Sequence, residues 1–139
     1  MLTLESKSGI AGGSQEKVFN YVSDFRNFAH LLPQERLTDL EISKEEIGFN
    51  LAGLGKVGLY IQEKTPFSKL TIQSSEESPA GLTFAIFLNR EGEQQTEIIM
   101  KLEASLNMFL EMMAKGPLQQ LLDMMVDKLV AVDFTDQHQ

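Results

Sequence analysis

The chain has 139 residues, 12 basic and 20 acidic side chains, and a net charge of −8. Its length suits one domain, its 42% hydrophobic and 23% charged residues argue against disorder, and so acidic a chain offers no Lys and Arg cluster for nucleic acid or anionic lipid. The absence of cysteine excludes disulfides, thiolate metal sites and cysteine nucleophiles.

The first residues, Met1-Leu-Thr-Leu-Glu-Ser-Lys7, do not place an apolar run behind a basic region, so no signal peptide is expected. Residues 3–10 read as a short strand ended by Ala11-Gly12-Gly13. Ser14 is a good helix N-cap with Glu16 in the first turn, and Val18, Phe19 and Val22 follow at helical spacing. This predicts a helix over 15–24, then a second short one carrying Phe25 and Phe28 and ending before Pro33.

From Leu37 to Leu106 the hydrophobic period is two. Ile47-x-Phe49-x-Leu51, Val57-x-Leu59-x-Ile61, Leu70-x-Ile72, Leu82-x-Phe84-x-Ile86-x-Leu88 and Ile98-x-Met100-x-Leu102 each put apolar side chains on one face, and Leu40 and Ile42 mark a further strand. Glycine, proline, serine and charged residues punctuate the breaks, so six strands in an antiparallel meander are expected. For Phe84 and Ile86 to share a face with Ile98 and Met100, paired residue numbers must sum to an even value. That predicts an odd-length loop at Glu91-Gly92, with Gly92 at positive φ. The longest unbroken apolar run, Phe84-Ala-Ile-Phe-Leu88, is far short of the roughly 20 residues of a spanning helix. A cytoplasmic, soluble protein without membrane insertion is therefore expected.

After Leu106 the period returns to helical. Asn107 can cap, and Leu118, Leu122, Met125, Leu129 and Val132 form one continuous stripe. Gly116-Pro117 predicts a kink or restart inside this segment. The fold class is α+β, because a seven-stranded antiparallel sheet must bury its apolar face and the last helix is the element able to cover it. A single domain is expected over 1–133, with a polar tail at 134–139.

Three segments carry a resemblance: Ser14-Gln-Glu-Lys-Val-Phe-Asn-Tyr-Val-Ser-Asp24, Phe28-Ala-His-Leu-Leu-Pro33 and Gly116-Pro-Leu-Gln-Gln-Leu-Leu122, joined by Gly55-Lys-Val-Gly-Leu-Tyr-Ile-Gln-Glu-Lys64. In their order and spacing the chain resembles the START/Bet v 1-like superfamily, also called SRPBCC or polyketide cyclase-like. The resemblance implies a helix-grip fold, in which a seven-stranded curved sheet, two short helices after strand 1 and a long kinked C-terminal helix enclose a cavity for a hydrophobic or amphipathic small molecule. It supplies no catalytic set, since no position here matches a family-specific catalytic motif.

Gly53-Leu-Gly-Lys-Val-Gly58 matches G-x-G-x-x-G, but it opens a strand where a dinucleotide fingerprint must open a helix, so a hairpin needing glycine at special φ is the better account. His30 and His138 assemble neither zinc spacing nor a Ser-His-Asp arrangement, and no metal or cofactor is expected. Beside Leu31-Leu32-Pro33, His30 is either a solvent-facing histidine or, with Phe28, part of the cavity mouth. Of the carboxylates, only Glu63 and Asp39 fall on the inner parity, near strand ends. Seven methionines, five of them from Met108 to Met125, suit an irregular core and equally an adaptable apolar pocket. Tyr60, Phe87 and Ile99 are apolar on the outer face, through local packing or as a dimer or partner contact.

The expected ligand contacts are Phe49, Leu59, Ile72, Phe84, Ile86 and Met100 from the sheet and Met112, Leu122 and Met125 from the helix. The expected function is non-catalytic binding of a lipid-like or polyketide-like molecule by a monomer or weak homodimer. The alternatives are an aromatase/cyclase-like enzyme, which needs polar groups converging in the cavity, and a chaperone-activator-like interaction domain with an exposed apolar patch near Phe87.

Overall fold

A computed structural model describes residues 1–51, 55–76, 78 and 81–134. Its helices begin where capping chemistry places them. The Ser14 hydroxyl accepts from the Lys17 N–H at 3.2 Å and opens α1 (Gln15–Val22). This helix stops short of the expected residue 24 because Asp24 caps the next one, α2 (Phe25–Phe28), accepting from the Arg26 N–H at 3.0 Å. A 3-10 turn, Ala29–Leu31, carries the chain to Leu32 and Pro33.

The strands are β1 (Leu2–Glu5), β2 (Gly9–Ala11), β3 (Leu37–Ile42), β4 (Glu46–Leu51), β5 (Gly55–Thr65), β6 (Lys69–Ser74), β7 (Gly81–Gly92) and β8 (Gln95–Ser105). They form one antiparallel, curved and unclosed sheet in the order β1-β8-β7-β6-β5-β4-β3, with β2 also on β8. The strand expected over 3–10 is therefore two pieces laid end to end, and the sheet remains seven strands wide.

The break between them is a bulge with a purpose. Glu5 pairs with Lys101 but Gly9 pairs with Ile98, a slip of one residue that turns Gly9 and Ala11 inward and leaves Ile10 outside. Ser6 holds the bulge: its hydroxyl accepts from the Met100 N–H at 2.8 Å, and its own N–H donates to the Met100 carbonyl at 2.8 Å.

The pairing of β7 with β8 obeys the parity rule, since Phe84 pairs with Leu102 and Ile86 with Met100. The odd count comes from a bulge at Glu91, between the pairs Arg90 with Thr96 and Gly92 with Gln95. Gly92 is not left-handed as expected. The bulge absorbs the extra residue, and Gly55, at φ +94°, is the described glycine with positive φ. It lies in the G-x-G-x-x-G segment, whose described part runs into β5 and opens no helix.

Asn107 caps the last helix, α3 (Met108–Val130), by accepting from the Leu110 N–H at 2.9 Å. The helix runs unbroken through Gly116 and Pro117, so the sequence does not restart it there. Beyond Pro117, Leu122, Met125, Val126 and Leu129 are all buried and hold the axis against the sheet. Polar groups clasp the same half to the bulge. Gln119 Nε2 donates to the Glu5 carbonyl at 2.9 Å, Asp123 Oδ1 accepts from the Lys7 N–H at 2.8 Å, and Lys7 Nζ lies 2.7 Å from Asp127 Oδ1. Phe134, expected in the polar tail, is buried with its ring edge-on to Tyr21 at 5.7 Å; the remainder of that tail, 135–139, lies outside the described residues. Among the described residues no helix is long and apolar enough to cross a membrane.

Candidate functional site

Between the concave face of the sheet and α3, from Leu110 to Met125, lies an open hollow of about 450 Å³. Phe49 of β4, Val57 and Leu59 of β5, Ile72 of β6, Leu82 and Phe84 of β7 and Leu102 of β8 form its floor. Leu110, Met113, Ala114, Pro117, Leu118, Leu121, Leu122 and Met125 form the helix wall, with Leu106 between floor and wall, and Phe28, Leu32 and Pro33 close one end. The strand period places the floor and the helical period places the wall, and every described lining side chain is apolar. The rings of Phe28 and Phe84 stand 6.1 Å apart and inclined at 60°.

Of the residues expected at a ligand, Phe49, Leu59, Ile72, Phe84, Leu122 and Met125 come together at this hollow, with Phe28 at its end. Three do not. Ile86 and Met100 are fully buried in the packed core and do not reach the hollow, because they pair farther along β7 and β8, where the clasped half of α3 covers the sheet. Met112 is 78% exposed, on the solvent side of the helix. His30 is exposed and is not among the lining residues. The positions missed on α3, Leu110, Ala114, Pro117 and Leu121, repeat at four, three and four residues, a second stripe beside the expected one.

The carboxylates expected on the inner parity are turned outward by bulges. β5 slips by one residue between Ile61 and Glu63, so Glu63 sits opposite Thr71 on the outer face. β3 slips between Thr38 and Glu41, and Asp39, in the left-handed region at φ +53°, accepts from Asn50 Nδ2 at 2.7 Å. No group of three or more His, Asp or Glu suited to a metal occurs among the described residues.

The titratable groups with displaced pKa values lie away from the hollow. Burial pushes the Tyr21 hydroxyl up. The Arg26 guanidinium, hydrogen-bonded to Asp24, holds that carboxyl below its usual range, and Lys64 does the same for Glu45. A larger hollow of about 680 Å³ lies over β3, β4 and β5, lined by Asp39, Glu41, Glu46, Asn50, Lys56 and Tyr60 around the Gly48 and Gly58 pair. Ile42, Ile47, Phe49 and Leu59 also line it, so it mixes polar and apolar groups, and it is open to solvent. On the outer face, Phe87 is half-buried under Lys69 and Lys101, whose ammonium groups stand 5.1 and 5.3 Å from the ring centre. Its neighbour Ile99 is half-buried too, so neither is an exposed apolar side chain.

A curved antiparallel sheet gripping a C-terminal helix, with an apolar hollow between them, is the START/Bet v 1-like or SRPBCC helix-grip fold. The sequence matches no family model and no curated protein. Solved structures match over nearly the whole chain. A protein from Thermus thermophilus is 14% identical at a TM-score of 0.68, covering 93% of this chain and 94% of its own. A norcoclaurine synthase point mutant from Thalictrum flavum, in complex with a transition-state analogue, is 12% identical at a TM-score of 0.65, with 93% and 94% covered. A START superfamily protein from Mycobacterium smegmatis is 11% identical at 0.64, with 91% and 96% covered. At these identities the likeness establishes the fold.

Proposed function

We propose that the chain is a non-catalytic binding module that holds a hydrophobic or amphipathic small molecule, lipid-like or polyketide-like, between the sheet and α3. The observation that carries this reading is the make-up of the 450 Å³ hollow, whose described lining side chains are all apolar. Binding would proceed by removal of ligand apolar surface from water, at about 25 cal/mol per Å². The neighbouring fold of a synthase that holds a transition-state analogue, and that of a START superfamily protein, support a ligand site on this scaffold.

The aromatase/cyclase-like alternative needs ionisable groups converging on the ligand, and the two carboxylates the sequence offered, Glu63 and Asp39, are turned outward. The interaction-domain alternative needs an open apolar patch at Phe87, which two lysines cover. The acidic, cysteine-free composition fits a monomer or weak homodimer working in the cytoplasm.

Native mass spectrometry of the protein isolated from its own host tests the proposal. The expected spectrum shows a non-covalent organic adduct lost on mild activation. A chain that is always ligand-free, and whose thermal midpoint no apolar compound raises, would overturn it.

A further inference from the structure

Building on that reading of the hollow, we infer that the part of its occupant lying inside is uncharged, of about 15 to 20 non-hydrogen atoms, and bound without a hydrogen bond to any described lining side chain. The size follows from 450 Å³ divided by the roughly 30 Å³ that one water molecule occupies in the liquid, which gives about 15 water-sized groups, with room for a few more atoms in a covalently bonded molecule.

The exclusion of charge rests on three observations. The floor supplies Phe49, Ile72, Phe84 and Leu102 and the wall Leu121 and Met125, and no described lining side chain offers a counter-charge or a hydrogen-bond partner. The bulges at Gln62 and Asp39 have moved outward the two carboxylates that strand parity would have pointed in, so a cationic ligand finds no anchor either. The net charge of −8 repels an anion before it arrives. A charge carried down to the floor of this site gives up its hydration and meets no described side chain that replaces it.

The test is a matched pair of fluorescent probes, N-phenyl-1-naphthylamine and 8-anilino-1-naphthalenesulfonate, which share a skeleton of the inferred size and differ by one sulfonate. Titrated into the full chain, the uncharged probe is expected to bind at least tenfold more tightly. Met113→Lys, at a lining position 62% exposed and therefore tolerant of charge, is expected to narrow that ratio by bringing a cation to the wall. Equal affinities, or tighter binding of the sulfonate, overturn the inference while leaving the hollow a ligand site. An unchanged ratio in Met113→Lys places the probes elsewhere and also overturns it. If neither probe binds, the binding reading falls together with the inference.

Discussion

Gly9→Ala is the substitution whose effect the structure specifies most closely. A Cβ at Gly9 would stand 2.7 Å from Val126 Cγ1 and 2.8 Å from Val130 Cγ2, where ordinary contact begins near 3.4 Å. Both obstacles are β-branched residues with stiff χ1 on α3, so the overlap is relieved only by moving the helix off β2. Overpacking of this kind costs about 1–3 kcal/mol, and two simultaneous clashes argue for the upper half, about 2.5 kcal/mol. Removing a glycine from the unfolded ensemble returns roughly 0.5 kcal/mol. The net expectation is a loss of about 2 kcal/mol, read in urea unfolding followed by circular dichroism as a midpoint lower by about 1 M at a slope of about 2 kcal/mol/M. In a thermal scan the same loss is a drop of roughly 8 °C for a chain of this length. Val126→Ala removes one of the two clashes, so in the Gly9→Ala background it should cost at least about 1 kcal/mol less than alone. A Gly9→Ala protein as stable as the parent, or strict additivity of the two changes, would refute the close approach.

Four further outcomes are expected. Ser6→Ala removes the acceptor for the buried Met100 N–H and should cost about 1–3 kcal/mol by chemical denaturation. Asp24→Ala removes the α2 cap and should cost about 1 kcal/mol at neutral pH. Because Arg26 lowers the native pKa of Asp24 below its ordinary 3.8, the stabilisation is complete above that value and fades as pH falls through the lowered one, so the two proteins should converge in acid unfolding curves. Pro117→Ala restores a backbone donor inside α3 and should raise the thermal midpoint, by up to about 3 kcal/mol of stability less the proline's effect on the unfolded chain. Hydrogen exchange of α3 should be faster over 108–116 than over 119–130, and equal protection in both halves would show that the clasp at Glu5 and Lys7 does not divide the helix.

The period-two segments, the Ser14 and Asn107 caps and the parity of β7 with β8 were legible because each depends on residues close in sequence or on a simple face rule. The bulges were not. A strand pattern read as one face assumes an unbroken register, and the slips at 6–8, at Asp39 and Leu40 and at Gln62 each reverse it. Hence unbroken parity puts Glu63 and Asp39 on the inner face, while the inward turn of Gly9 and Ala11 is masked in the sequence by the more hydrophobic Ile10. For the site, the floor residues followed from strand parity, but the extent of the hollow along the strands did not. That extent depends on where α3 leaves the sheet, which is why Ile86 and Met100 belong to the core and Leu82 and Leu102 to the floor.

The methionine surplus also divides along α3. Met125 is buried at the end of the hollow, whereas Met108 and Met112 are each 78% exposed and Leu110 is 40% exposed. The polar groups that tie the helix to the bulge, Gln119, Asp123 and Asp127, all lie beyond Pro117, and the tie described for the earlier half is the 3.7 Å contact of the Met1 amino group with Glu111. The missing N–H at Pro117 falls at the boundary between the two halves. Beyond Pro117 the helix is fixed by burial and hydrogen bonds, yet its Leu118, Leu121, Leu122 and Met125 line the hollow together with Leu110, Met113 and Ala114 of the earlier stretch. On the proposed reading, the helix that seals the core at one end also walls the ligand site at the other, with Leu32, Pro33 and Leu106 of the connecting segments completing it.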